Sequence, residues 1–298
     1  MKGFLKTRPV KVLRHLLLAV FLLGFLAVVV PAPYMVSLKL GGLLGLAGCF
    51  LSGGYARRAK ENITRAMPEL SPARVLEIRN RSFRNLGMNL AEFALLNFRS
   101  AEFWKKRVSF QGRDILSEYA GKKGVIYLTA HVGNWELMGA FLVMAGFRVN
   151  VVARRISDSF LNRILVGIRA GRGVSTIYRK GRANTKKMIA AMRRKEILGI
   201  LIDQDTKVGG VFVDFFSRPA YTPTACAQFS RLKGTVVLPG FIYRRKDLTH
   251  RVVVMDPVEK TGDPVTDTAR HTRIIEDFIR KHPDQWVWMH RRWKRSPS

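Results

Sequence analysis

The chemistry of this sequence is concentrated in residues 125–140, where an apolar run, Val125 to Ala130, stops at His131 and is followed by Gly133, Asn134 and Glu136. An imidazole backed by a carboxylate is a general base. The carboxylate fixes the tautomer, leaves the other ring nitrogen free to accept a proton, and favours the imidazolium that results. His131 and Glu136, separated by four residues, are expected to form that pair. On the plainer reading, His131 is a satisfied loop histidine and Glu136 a charge at a helix start.

Two further groups could serve the same edge. Ile200-Leu201-Ile202 is a second apolar run, and it ends in Asp203-Gln204-Asp205. The arginines Arg154, Arg155, Arg163, Arg169, Arg172, Arg179 and Arg182 follow one another through the middle of the chain. Guanidinium forks bind phosphate bidentately, so such a cluster suits a phosphorylated head group, whereas a solvated basic face is the reading for most individual arginines. Asn134, Arg154, Arg169, Asp203 and Asp205 are therefore candidates for supporting or binding the substrate. The run from Val211 to Phe216 is suited to lining an acyl-chain groove or to forming ordinary core.

These residues need elements that bring them together. The run at 125–130 reads as a buried strand, Asn134 as a helix N-cap, and Trp135 to Met138 as a first turn in which a carboxylate complements the helix dipole. Further strand-like runs occur at 147–153, 174–178, 197–203, 235–243 and 251–255, with helical patterns at 135–145, 159–170, 182–194, 224–232 and 268–281. This alternation predicts an α/β fold, a mostly parallel central sheet flanked by helices on both faces. Ligands in such folds bind at the carboxyl ends of strands, where His131 and Asp203 would lie. Residues 57–99 read as helical, broken at 68–71, with Leu76, Phe83, Leu86, Leu90 and Phe93 as one apolar stripe.

At 298 residues the chain has room for a sizeable core, and its net charge of +31 implies an anionic partner. The two cysteines, Cys49 and Cys226, have neither disulfide nor metal-ligand spacing. A basic segment, 1–15, precedes an apolar run at 16–30 that is interrupted by Pro31 and Pro33, and a second apolar, Gly-rich run follows at 38–51. The first, extended to Met35 or Val36, is long enough for the roughly 20 residues a membrane span requires. The second is expected to be interfacial, re-entrant or packed under the domain. This divides the chain into a membrane anchor with its interfacial segment, 1–56, and an α/β catalytic domain, 57–298. A cleaved secretory signal is the rival reading, against which stand the second apolar run and the lack of a disulfide pattern. The tail from Trp286 to Trp293 mixes aromatics with cations, which suits a membrane interface, packing back on the domain, or stacking on single-stranded nucleic acid.

His131-Val-Gly-Asn-Trp-Glu136, Asp203-Gln204-Asp205, the Val211 to Phe216 run and Trp286-Val-Trp-Met-His-Arg-Arg-Trp293, together with Arg58-Ala-Lys-Glu-Asn62 and Phe83-Arg-Asn-Leu-Gly87, resemble the bacterial lipid A biosynthesis acyltransferase family, in the same order and over nearly the whole chain. The resemblance implies a membrane-bound enzyme at the inner face of the cytoplasmic membrane. It would move an acyl chain from acyl carrier protein or a coenzyme A thioester onto a hydroxyl of a phosphorylated glycolipid, with no further cofactor and no metal. It implies His131 and Glu136 as the catalytic pair, with Arg169 and Asp203 in support. Related glycerolipid acyltransferases carry Asp where this chain has Glu136, which argues against a glycerol-phosphate acceptor. Other glycolipid or phospholipid acceptors stay open. Two readings from other classes stand beside it. A membrane-tethered nucleic-acid-binding protein would explain the charge and the tail, but no compact recognition motif is present. A metal-dependent hydrolase lacks a third ligand at suitable spacing.

Overall fold

The computed structural model describes residues 8–296. In chain order the elements are α1 (Arg8–Val29), α2 (Tyr34–Leu51), α3 (Gly53–Ala66), α4 (Pro72–Leu95), α5 (Ala101–Lys105), β1 (Val108–Gln111), α6 (Arg113–Tyr119), β2 (Gly124–Thr129), α7 (Trp135–Met144), β3 (Val149–Ala153), α8 (Ser159–Gly171), β4 (Ser175–Tyr178), α9 (Arg182–Arg193), β5 (Ile197–Leu201), β6 (Gly210–Asp214), β7 (Pro219–Pro223), α10 (Ala225–Ser230), β8 (Thr235–Arg244), β9 (His250–Val254) and α11 (Pro264–Lys281). Seven strands form one sheet in the order β1-β9-β8-β2-β5-β3-β4. The five from β8 to β4 are mutually parallel, and β9 meets β8 antiparallel while pairing parallel with β1. The expected α/β architecture is the one observed.

Every residue of β2 is buried, because the strand lies inside the sheet with helices on both faces. Val125 and Tyr127 face a layer that includes Leu137 and Phe141 of α7 and Leu95 of α4. Ile126 and Leu128 face the other, with Met188 and Met192 of α9 and Ile275, Phe278 and Ile279 of α11. Thus the unbroken apolar run of β2 is required by two cores, not one.

The amino-terminal helices depart from expectation. The first apolar run does not continue to Met35 or Val36 as one span. Pro31 and Pro33 fix φ and supply no N–H, so α1 ends at Val29 and α2 begins at Tyr34 with Pro33 as its N-cap. The carbonyls freed at the break are taken by Ser37 Oγ on Val29 O at 2.8 Å and by Arg99 Nη2 on Val30 O at 2.8 Å and Ala32 O at 3.1 Å. Among the described residues, α2 is the one helix long and apolar enough to cross a membrane, with mean hydropathy 1.6 over 18 residues. Lys2 and Lys6 of the basic segment lie outside the described residues.

The second run packs on α4, as one of the expected alternatives for it had it, and does so at very short range. A methyl on Gly41 would lie 2.6 Å from Gly87 O and 2.8 Å from Ala91 Cβ, and one on Gly45 or Gly87 would enter the opposing backbone. This contact rewrites the stripe expected along α4. Its buried face is Val75, Ile78, Phe83, Gly87, Met88, Ala91 and Leu95, whereas Leu76 and Leu90 are exposed. Close approach to α2 selects small residues on that face and turns the larger leucines outward.

Candidate active site

Strands β2 and β5 run side by side with Thr129 opposite Leu201. Two residues beyond each strand end stand His131 and Asp203, brought together by the parallel register alone. The Asp203 side chain is fully buried and accepts three hydrogen bonds. His131 Nδ1 lies 2.8 Å from Oδ1, while the His131 backbone N–H (3.0 Å) and Trp286 Nε1 (2.8 Å) donate to Oδ2. Burial pushes the Asp203 carboxyl up, but His131 and the Trp286 and backbone N–H donors outweigh it and hold the group down at about 2. An ionised carboxylate only accepts, so Nδ1 carries the proton and Nε2 is left with its lone pair.

The carboxylate on the catalytic-type histidine is therefore Asp203, and not Glu136 as expected. Glu136 sits in the first turn of α7, and its carboxylate is gripped bidentately by Arg169 in the last turn of α8, Nε on Oε2 at 2.8 Å and Nη2 on Oε1 at 2.6 Å, with Trp135 Nε1 adding a bond at 3.2 Å. Arg169 Nη1 is buried and has no hydrogen-bond partner among the described residues. Trp135 also meets the His131 ring edge-on at 5.0 Å.

The loop between His131 and α7 is clamped at its far end by a second buried carboxylate. Asn134 caps α7, its Oδ1 accepting from Leu137 N at 3.1 Å, and its Nδ2 donates to Glu92 Oε2 at 2.7 Å. Glu92 also receives Tyr34 OH (2.5 Å), Arg244 Nη1 and Nη2 (2.7 Å each) and His250 Nε2 (2.8 Å). Gly133, at φ +58°, passes against Ile242 and Tyr243 where a side chain has no room. Its N–H donates to Gln285 O at 3.0 Å and its carbonyl accepts from Asn89 Nδ2 at 2.6 Å.

His131, Glu136 and Arg169 line a cavity of about 1100 Å³. Its inner part is walled by Tyr127, Met138, Leu142, Val149, Val174 and Ile197, and its mouth carries Arg154, Arg155, Arg179, Lys180, Lys207 and Lys294. An apolar interior with a cationic mouth fits an amphiphile with an anionic head. His290 also faces this cavity, and burial brings its imidazole down to about 4, so it is neutral at neutral pH.

The other expected site residues divide. Arg154 and Asp205 line the cavity, Asp205 being buried and ion-paired with Arg295 at 3.1 Å. Asn134 is outside the lining and serves the fold of the loop. Arg172 is tied to the carbonyls of Leu96 and Arg99, and Arg163 and Arg182 do not reach the cavity. Of the two readings open for the Val211 to Phe216 run, Phe215 and Phe216 take the core one and do not line the cavity. They are sealed against Trp286, Trp288 and Trp293 as core. The tail accordingly packs back on the domain, with Trp286 and Trp288 2% and 0% exposed and unable to stack on bases. The roles of Trp286 and Glu92 went unread in the sequence. An acid inside the apolar stretch Ala91 to Leu96 was the available signal for Glu92, and the spacing of the tail held none for Trp286.

The sequence matches the family described as bacterial lipid A biosynthesis acyltransferase over residues 6–295. It is 28% identical over 285 residues to the lipid A biosynthesis lauroyltransferase of Escherichia coli (strain K12), covering 93% of this chain and 91% of the relative. It is also 28% identical over 290 residues to the palmitoleoyltransferase of lipid A biosynthesis from the same organism, at the same coverages. A phosphatidylinositol mannoside acyltransferase of Mycobacterium tuberculosis (strain CDC 1551 / Oshkosh) is 24% identical over 183 residues, 57% of this chain and 54% of the relative. With the match running through both strand ends, the loop that joins His131 to α7, and the tail that holds Asp203, the chain belongs to the bacterial lipid A biosynthesis acyltransferase family.

Proposed function

We propose that this protein is an O-acyltransferase that moves a fatty acyl chain from a thioester, carried by acyl carrier protein or coenzyme A, to a hydroxyl of a phosphorylated lipid A precursor. The observation that carries the reading is the Asp203-backed His131, whose proton-accepting nitrogen is free beside a cavity with an apolar interior and a cationic mouth. Nε2 removes the proton of the acceptor hydroxyl as its oxygen attacks the thioester carbonyl. The tetrahedral intermediate collapses, the carbon–sulfur bond breaks, and the thiolate takes the proton back from the imidazolium. Both cysteines are buried and neither lines the cavity, in keeping with direct transfer without an acyl-enzyme on sulfur.

Asp203 keeps Nδ1 protonated and stabilises the imidazolium. Glu136 acts through Arg169, whose guanidinium it fixes so that the spare Nη1 can meet the developing oxyanion or a donor phosphate. The N–H groups of His131, Val132, Gly133 and Leu137 are engaged within the protein, which leaves the helix-start N–H groups of Trp135 and Glu136 as further oxyanion donors. The chain of the acyl group lies along Tyr127, Leu142 and Val174, and the cationic mouth takes the anionic head. The apolar residues exposed on α1 and α2 support a reading in which residues 1–56 anchor the chain at the cytoplasmic membrane and the catalytic domain, 57–298, lies on its cytoplasmic side. Mass spectrometry of membrane lipids from cells with and without the gene tests the reading. A difference of one acyl group on a lipid A-type glycolipid is expected. The same difference on another glycolipid would move the acceptor, and identical lipid profiles would end the proposal.

A further inference from the structure

A second concave site of about 1000 Å³ lies between α4, the turn joining β8 to β9, and the end of α11, and it shares no lining residue with the catalytic cavity. Its walls carry Arg81, Arg84, Arg245, Lys246 and Lys281 against two acids, Asp247 and Asp284. Those acids are already engaged, Asp284 with Arg81 at 3.0 Å and Asp247 with Arg245 at 3.7 Å. Arg84, Lys246 and Lys281 are exposed and make no ion pair among the described residues. The floor is held by hydrogen bonds and a ring stack. Gln285 brackets the Arg244 backbone with bonds of 2.7 and 2.8 Å, Asn85 Nδ2 holds Asp284 O at 2.9 Å, and His282 stacks on Tyr243 at 4.1 Å.

The place of this groove selects its ligand. Arg84 lies along α2: a methyl on Gly42 would be 3.1 Å from Arg84 Cγ. On that apolar helix Leu43, Phe50 and Leu51 are 62%, 73% and 87% exposed. When such a helix enters the hydrocarbon boundary, Arg84 beside it, and the groove that Arg84 lines, stand at the height of lipid phosphates. An acidic protein would need a broad face, whereas these cations converge on a concavity. We infer that the groove between α4, the β8–β9 turn and the end of α11 binds the phosphate of an anionic phospholipid head group, separately from the substrates of the catalytic cavity. The choice of lipid over a soluble anion rests on the membrane reading of α2. The binding itself is measured without acyl transfer, so it can fail while the catalytic reading stands, and the reverse.

The test is calorimetric titration of the full chain in neutral-detergent micelles with dioctanoyl phosphatidylglycerol. R84Q/K246Q/K281Q is compared with K122Q/K186Q/K187Q, which removes the same charge from exposed positions elsewhere. Saturable binding is expected, weakened about tenfold or more in the groove variant and unchanged in the control, since cations at an anionic lipid surface contribute individually. Dioctanoyl phosphatidylcholine should not bind, and inorganic phosphate should compete poorly. Equal weakening in both variants, binding of the zwitterionic lipid as tightly, or phosphate competing on equal terms would overturn the proposal. So would a groove variant that keeps the lipid and loses only an acidic polypeptide such as polyglutamate. Matching thermal melts of the two variants establish that both are folded.

Discussion

Two buried carboxylates in this molecule each face a histidine, and only one of these two histidines borders the cavity. Asp203 holds Nδ1 of His131, whose side chain is 24% exposed at the cavity, while Glu92 holds Nε2 of His250, which is fully enclosed. Both acids stay ionised. For Glu92 burial pushes the carboxyl up, and Arg244 and His250 pull it well below the usual carboxylate range. The difference lies in what each histidine has left. His131 keeps an unshared nitrogen beside the cavity, whereas the remaining nitrogen of His250, Nδ1, is buried without a partner. On the proposed function one pair makes a base and the other a brace, and residues 131–134 are strung between them, gripped by Asp203 at one end and by Glu92, through Asn134, at the other.

The contrast breaks first at His131. His131→Ala should lower turnover of the purified enzyme by about 10² to 10⁴, the usual worth of a positioned base, while the chain still folds, with a melting temperature lowered by the loss of one donor to the buried Asp203 carboxylate. Asp203→Asn should lose less, because the imidazole remains while its tautomer is no longer enforced. Measured initial rates alongside circular dichroism check both. Full activity in His131→Ala would show that the two pairs do not differ in the way described.

Glu92→Gln should do the opposite. Removing the charge leaves Arg244, 3% exposed in its side chain, without its counter-ion, and breaking a buried pair in this way costs about 3–5 kcal/mol. Chemical denaturation should register that loss. Whatever fraction stays folded should retain His131 chemistry to within a few-fold, because Asp203 and the β2–β5 register are untouched. A variant that melts normally but is inactive would make Glu92 part of the catalytic apparatus.

How much of this was legible in the sequence depends on whether the partners lie on one local element. The strand ending at His131 and the cap at Asn134 were legible, because apolar periodicity and capping chemistry are local. The run ending in Asp203 was legible as a second strand end. That the two pair was not, because they are 72 residues apart and the sequence does not state which strands are neighbours. A carboxylate five residues along the chain looked the nearer partner for His131. A helical turn, however, carries Glu136 toward α8, where Arg169 claims it. The N-terminal span was misplaced for a related reason. Hydropathy summed across Pro31 and Pro33 ignores that both residues forbid a continuous helix there. The tail's composition fits three roles, and what selects among them is the bond from Trp286 to Asp203, a contact across 83 residues.

Acid sharpens the comparison most gently, because neither carboxylate is the first group it reaches. Burial lowers His271 and His290 to about 4, each below the ordinary value of about 6.5, and His250 is lowered by burial as well. Between about pH 6.5 and 4 the unfolded chain therefore binds protons that the folded chain refuses, and stability falls as pH drops through that window. Asp203, held at about 2, adds its own loss only below about pH 4, where the unfolded aspartate begins to protonate and the folded one does not. Denaturation midpoints measured from pH 7 to pH 4 should decline continuously, and His271→Gln, remote from the cavity, should flatten that decline without moving the rate at pH 7. A midpoint that stays level to pH 4 would mean that these imidazoles titrate as freely in the folded protein as in the unfolded chain.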